Sequence, residues 1–403
     1  AGRLLRRRIP LANEVSLVNE SNQQVAHGRD LEPDIANTLE RIHAARASAP
    51  YSLCKEHELR ARLEPFLTSE GVHNPQVEDL RRLAGGASKE QFVFTLTADG
   101  QSSRRCVLRL EPVEGVAITS RQRELEAMRA VSCVAPVPEV LWIDPDGTAL
   151  GRPALITAFV DGVTKPSNSS SNITGFGTVL SESLREQLVG PFIDHLKAIH
   201  ATDILSADLQ SFQIPDADPQ QAARWQVNWW TTVWHNDALR GIPVLGLAER
   251  WMRNNLPKTS GLVLLHGDYR TGNYLFNEET GAITAILDWE FTHIGDYHEE
   301  LAWISLRPWS HIENGTSLSS SLLPYEDLAT RYTAVTGREV DPATLHFYQI
   351  LCLYKCSVIC LGSGLRSAHE AHNHQDALMS WLAPAGYVFL NELIDVIDNG
   401  PAL

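Results

Sequence analysis

Between Leu264 and Glu290 the chain reads Leu264-Leu265-His266-Gly267-Asp268-Tyr269-Arg270-Thr271-Gly272-Asn273-Tyr274-Leu275-Phe276, a turn at Glu279-Thr280-Gly281, and then Ile283-Thr284-Ala285-Ile286-Leu287-Asp288-Trp289-Glu290. Two β-rich apolar runs around a turn predict a hairpin, which would bring Asp268, Asn273 and Asp288 together. A loop carboxylate such as Asp268 can accept or orient the proton of a hydroxyl. A carboxylate and a carboxamide, Asp288 and Asn273, suit Mg²⁺, which takes oxygen ligands octahedrally and keeps several waters. His266 would orient the loop by hydrogen bonding. Alone, residues of these types more often cap turns or face solvent; bounded by apolar strands, the set is a candidate catalytic centre.

The Asp-x-x-x-x-Asn spacing resembles the catalytic loop of protein kinases, and Asp288 closes a strand where the second metal-binding Asp of such enzymes stands. Phosphoryl transfer passes through a loose transition state, so the protein mainly aligns a hydroxyl and neutralises phosphate charge. More broadly, His266-Gly267-Asp268 with Asn273 and Leu287-Asp288-Trp289-Glu290, followed by Gly295-Asp296 and Leu301-Ala302-Trp303, resembles the aminoglycoside phosphotransferase and choline kinase superfamily across residues 78–395. The wording around Arg270, Asp288-Trp289-Glu290 and Glu300-Leu301-Ala302-Trp303 looks most like the kinase-like domain fused to some acyl-CoA dehydrogenases and its free-standing bacterial relatives.

That resemblance implies an α+β, bilobal protein-kinase-like fold, with ATP and Mg²⁺ as cofactors and a small-molecule hydroxyl as acceptor. It makes Gly85-Gly86-Ala87-Ser88 the turn over the nucleotide phosphates, with Gly85, Gly86 and Ser88 offering backbone N–H groups. It puts Arg109 where kinases keep a strand lysine, with Glu124 as ion-pair partner and Glu126 as the competing candidate. Arg keeps the charge but not the geometry of Lys. The backbone around Ala158 and Val160 would read the adenine edge. Arg270 would contact the γ-phosphate or an anionic substrate, or form an ion pair within the loop. Asp296 is expected to cap or brace the loop.

Around this island the rest of the chain reads as support. A polar arm and two helices, Asp34–Ala47 and Lys55–Glu70, form an extension (1–75). Strand, turn, strand, a helix from Ser120 and two further strands form a small antiparallel N-lobe (76–160). A Ser/Asn/Gly-rich lid at 164–183 and a run of helices form a larger C-lobe (161–403). Trp225, Trp229, Trp230 and Trp234 share a helix and are expected to pack its core, with walling of a cleft beside Trp303 and Trp309 as the other reading. Cys352, Cys356 and Cys360, at four-residue spacing, are expected to be buried packing rather than zinc ligands.

At 403 residues with 43% hydrophobic and 21% charged residues, the chain is long enough for two packed lobes. Its net charge of −15 argues against a nucleic-acid partner. The six cysteines show no paired framework, the first ten residues lack the apolar core of a signal peptide, and no unbroken run of about 18 apolar residues occurs. The expectation is a cytoplasmic protein with no membrane partner, monomeric or homodimeric. The acceptor expected from the subtype resemblance is a hydroxyacyl thioester or similar metabolite, with an aminoglycoside-type antibiotic second. A catalytically weak nucleotide-binding regulatory module is the reading from another class, and Arg109 is the feature that favours it.

Overall fold

The structure, a computed structural model, describes residues 30–46, 51–83, 88–100, 102–112, 115, 120–168 and 178–400. Two helices come first, α1 (Pro33–Ala45) and α2 (Glu56–Ser69). They are followed by β1 (Gln76–Arg82), β2 (Glu90–Thr97), β3 (Arg104–Leu110), α3 (Arg121–Val131), β4 (Val140–Asp144) and β5 (Ala154–Ala158). The five strands form one antiparallel sheet in the order β1-β2-β3-β5-β4. Alternation in β3 decides what faces where: Cys106, Leu108 and Leu110 are buried on one face, so Val107 and Arg109 lie on the other.

The two leading helices join different cores. Leu59, Leu63, Phe66 and Leu67 of α2 cover the sheet face that carries Phe92, Phe94, Leu108 and Ile156. Ile35 and Leu39 of α1 pack instead into the large core with Leu125 and Met128 of α3. Burying each such side chain contributes about 1.5–3 kcal/mol, so α2 is part of the small lobe's own stability.

Residues 161–400 add α4 (Glu182–His200), α5 (Gln221–Asp237), α6 (Pro243–Asn254), β6 (Leu262–Leu265), β7 (Tyr274–Phe276), β8 (Ile283–Ile286), β9 (His293–Asp296) and α7 (Tyr297–Ser305). A three-stranded sheet follows, of β10 (His311–Glu313), β11 (Thr316–Ser319) and β12 (Leu323–Pro324). The last helices are α8 (Tyr325–Thr336), α9 (Pro342–Val358), α10 (Leu365–His369) and α11 (Asp376–Asn399). β7 pairs with β8 as the sequence led us to expect, and β6 pairs with β9.

Several elements were not read from the sequence: β1, β9, α7, α10 and the β10–β12 sheet. Each is short, and α7 carries charged Glu299 and Glu300 on an otherwise apolar run, which hides the helical period. Two stretches, Pro342–His369 and Ala377–Asn399, are long and apolar enough to cross a membrane by length and composition, although Lys355 and Glu392 interrupt any continuous apolar run. In its most apolar 18-residue window the first stretch, which spans α9 and α10, is 89% buried and belongs to the core, whereas the second is 33% buried. Cys352, Cys356 and Cys360 are all buried, as packing requires.

Candidate active site

The loop between β6 and β7 carries Asp268, and its backbone is held from behind by Glu300 of α7. The Glu300 carboxylate accepts the N–H groups of His266 at 2.7 Å, Gly267 at 3.0 Å and Tyr269 at 3.3 Å. Burial would raise this carboxyl, but nearby His200 and His266 and the loop N–H groups outweigh it and hold the group below its usual value. Gly267 has φ of +82°, and a Cβ there would lie 2.3 Å from the Phe291 carbonyl oxygen. That close approach requires glycine. The same residue's carbonyl accepts from Lys355 Nζ at 3.1 Å, a buried ammonium 4.0 Å from the Phe291 ring and 4.3 Å from the Trp303 ring.

His266 ties the two arms of the hairpin together. Its Nε2 lies 2.7 Å from the Leu287 carbonyl, and its Nδ1 accepts the Asp268 N–H at 3.2 Å. These partners assign the proton to Nε2, and burial lowers the imidazole's affinity for a second proton. Leu287 in turn donates its N–H to the Asn273 carbonyl at 2.8 Å. Asn273 Nδ2 donates to the Asp268 carbonyl at 2.9 Å, which leaves its Oδ1 without a partner among the described residues.

Asp268 is 8% exposed. Its Oδ1 accepts from Arg270 Nε at 2.8 Å and from Trp303 Nε1 at 2.6 Å. Oδ2 accepts no hydrogen bond among the described residues, so one carboxylate oxygen is anchored and the other is open. Arg270 lies 5.1 Å over the ring of Trp309, whose Nε1 donates to the Trp303 carbonyl at 2.5 Å. Arg270 therefore braces Asp268, the loop ion pair that was one of its two expected roles.

The small lobe meets this loop through charge. Asp288, at φ of 60° in the left-handed region, presents a carboxylate 35% exposed. Arg109 Nη2 donates to Asp288 Oδ1 at 2.5 Å, and Nη1 to Glu124 Oε2 at 3.4 Å. Burial opposes the Arg109 charge, yet Asp288 and Glu124 outweigh it and raise the guanidinium above its usual value. Glu124 is shared: Arg121 engages both its oxygens, with Nη1 at 2.9 Å from Oε2, and binds Glu111 Oε1 through Nε at 2.9 Å. Buried Lys89, directly after Ser88, reaches Glu290 Oε2 at 3.5 Å, and burial lowers its affinity for a proton.

A model of the phosphotransferase enzyme family matches residues 79–332, more than half of the chain. The chain belongs to that family. It is 27% identical over 241 residues to acyl-CoA dehydrogenase family member 10 of Mus musculus, covering 59% of this chain and 21% of that protein. To acyl-CoA dehydrogenase family member 11 of Homo sapiens it is 24% identical over 331 residues, covering 80% of this chain and 40% of that protein. The chain thus spans less than half the length of either relative. A putative aminoglycoside phosphotransferase from Ralstonia eutropha superposes with a TM-score of 0.56 at 20% identity, covering 82% of this chain and 98% of that one. A thermostable mutant of aminoglycoside phosphotransferase APH(4)-Ia, solved in ternary complex with ADP and hygromycin B, gives a TM-score of 0.52 at 19% identity, covering 82% of this chain and 98% of that one. The fold is the α+β kinase-like fold of aminoglycoside phosphotransferases, as the motifs implied. This phosphotransferase family uses ATP with Mg²⁺.

The donor set fits Mg²⁺. Asn273 and Asp288 are both oxygen donors at the ends of one hairpin, and among the described residues no three His, Cys, Asp or Glu side chains gather as a metal cluster. A site of two protein oxygens completed by phosphates and waters is the usual Mg²⁺ arrangement. Bound there, the ion would neutralise charge on the phosphates.

The structure brings together Asp268, His266, Arg270, Asn273, Asp288, Arg109 and Glu124. Gly85 and Gly86 lie outside the described residues, while Ser88 precedes β2. Ala158 closes β5 opposite Cys106, and Val160 just beyond it makes no backbone hydrogen bond among the described residues. Asp296 caps α7, its Oδ1 accepting the His298 N–H at 3.0 Å. Trp229, Trp230 and Trp234 are core residues, and Trp225 is buried with its Nε1 donating to Asp30 Oδ1 at 2.7 Å; Trp303 is in the same core and also touches Asp268. Sequence reasoning missed Lys89, Arg121 and Lys355. Lys355 stood out only as a charge inside an apolar run, and Lys89 and Arg121 sit among polar residues and gave no signal.

Proposed function

We propose that the chain transfers the γ-phosphoryl group of ATP to a hydroxyl of a small molecule. The observation that carries this reading is the state of Asp268: Oδ1 fixed by Arg270 and Trp303, and Oδ2 open. In this reading the acceptor oxygen forms a bond to the γ-phosphorus, the bond from phosphorus to the β,γ-bridging oxygen breaks, and ADP leaves. The hydroxyl proton is oriented toward, or taken by, Asp268 Oδ2. His266 and Glu300 act by holding the loop. Arg109 now grips Asp288, so it would share or release that carboxylate when phosphates arrive, keeping its hold on Glu124.

For the acceptor, a hydroxyacyl thioester or a related hydroxylated metabolite is the first reading to test, since the relatives named above are acyl-CoA dehydrogenase family members. The fold shared with aminoglycoside phosphotransferases supports an antibiotic acceptor as the second reading. A panel of hydroxyacyl thioesters, small alcohols and aminoglycosides assayed for acceptor-dependent ADP release discriminates them. Turnover of thioesters above all others is the expected result, and turnover confined to aminoglycosides would overturn the metabolite reading. No acceptor-dependent release at all, with nucleotide binding intact, would favour the regulatory-module reading to which the Arg109–Asp288 contact also lends support.

A further inference from the structure

A cavity lies between the turn at Arg307–Trp309, the β10–β11 hairpin and the C-terminal helix α11. Its volume is 410 Å³, within the range of small-molecule sites. Pro308, Ile312 and Val388 supply apolar walls, and Arg307, Glu392 and Asp395 supply charge. Ile312 is 61% and Val388 59% exposed, so the apolar side opens to solvent.

The unusual group is Glu392. It is only 7% exposed, yet among the described residues no side chain hydrogen-bonds or ion-pairs with it. Burial pushes its carboxyl up to about 7, with only the charge and backbone of Arg307 opposing and Asp395 on the same helix adding to the rise. A buried carboxylate with no side-chain partner is costly, and the cost is relieved when a cation is brought to it. Arg307 does not fill that role: it is exposed, and it is one guanidinium facing two carboxylates. Once Glu392 ionises, the cavity therefore holds a negative excess beside an apolar surface. Along α11, Trp381 and Pro384 extend the exposed apolar stripe beyond Val388.

We propose that this cavity is a binding site for an amphiphilic primary amine, its ammonium seated against Glu392 and Asp395 and its apolar body lying on Ile312, Pro308 and Val388. The site does not depend on the phosphotransfer reading. It is joined to the catalytic loop all the same, because the turn that forms one wall carries Trp309, which packs on Trp303 and lies beneath Arg270.

The test uses the full chain and three six-carbon probes, hexylamine, hexan-1-ol and hexanoate, titrated by calorimetry. Hexylamine should bind at least tenfold more tightly than either other probe, because only it brings a cation. Its affinity should rise as the pH passes upward through about 7 and Glu392 ionises, then hold until the amine itself loses its proton near a pKa of about 10. Glu392→Gln should weaken hexylamine about tenfold and remove that pH dependence. Val388→Lys, at a solvent-facing position that leaves folding intact, should weaken it similarly by placing a competing ammonium at the mouth. Equal binding of hexan-1-ol, tighter binding of hexanoate, or hexylamine affinity unchanged in both variants would overturn the proposal.

Discussion

Replacing Glu300 by Gln tests how far the catalytic loop depends on one buried carboxylate. Glu300 is 1% exposed and accepts three loop N–H groups, at 2.7, 3.0 and 3.3 Å. A hydrogen bond to a charged acceptor contributes about 1.5–3 kcal/mol, and a buried donor left unpaired costs about 1–3 kcal/mol. Gln can keep its oxygen toward Gly267 and Tyr269, but its NH₂ then faces the His266 N–H, donor against donor. The expected loss of stability is roughly 2–4 kcal/mol from that one orphaned donor and the weaker neutral acceptor. Glu300→Leu would orphan all three donors at roughly 3–9 kcal/mol, comparable with a whole domain's stability, so the isosteric change is the informative one. Because the folded-state carboxyl lies below the usual 4.5, the wild type binds fewer protons than the unfolded chain near that pH. Its advantage is full above 4.5 and shrinks as the pH falls below it. Loosening the loop should also lower kcat by about 10- to 100-fold through misplacement of Asp268, with little change in nucleotide affinity. Urea unfolding at pH 7 and pH 4 with acceptor-dependent ADP release measures both. A variant within 0.5 kcal/mol of wild type, on the order of ordinary surface changes, and with full kcat would refute the reasoning.

Three further outcomes follow from named contacts. Arg109→Lys loses the fork that spans Glu124 and Asp288 and should raise the KM for ATP several-fold while kcat changes less; an unchanged KM would place Arg109 outside nucleotide handling. Glu32→Gln breaks a buried pair with Arg123, whose Nη1 lies 2.6 Å from Glu32 Oε1 and 2.7 Å from the Ser211 carbonyl, and should cost about 3–5 kcal/mol, read by urea unfolding. Glu392→Gln removes a carboxyl raised to about 7, whose folded form binds more protons than the unfolded one between 4.5 and 7, so wild-type stability falls across that window. The variant should gain on wild type there, by no more than about 3 kcal/mol above pH 7 and by nothing below 4.5, in melts taken across that pH range.

The hairpin was legible because its strands alternate apolar residues around a turn and because Asp268, Asn273 and Asp288 sit at fixed ends of it. The antiparallel small sheet was legible for the same reason. What supports the loop was harder to see. Glu300 lies 32 positions beyond Asp268 and acts on backbone N–H groups, which leave no mark in a sequence. Trp303 was read as part of the family motif and as a cleft wall, and its Nε1 bond to Asp268 appears only once the chain is folded. Arg109 was read as the counterpart of a strand lysine with Glu124 as its partner, and it does pair with Glu124; its hold on Asp288 and the sharing of Glu124 with Arg121 are set by how β3, α3 and the hairpin meet in space. The extension was read as an appendage, yet α2 completes the core of the small sheet, because four apolar residues at helical spacing do not say which surface they cover.

The most direct measurement is acceptor-dependent phosphoryl transfer by Asp268→Asn beside its affinity for MgATP. The Asn carbonyl can keep the contacts from Arg270 and Trp303, so the loop stays in place while the open carboxylate oxygen becomes an amide. Transfer should fall by about 10²–10⁴-fold with nucleotide affinity within about twofold of wild type. Transfer at the wild-type rate would contradict the account.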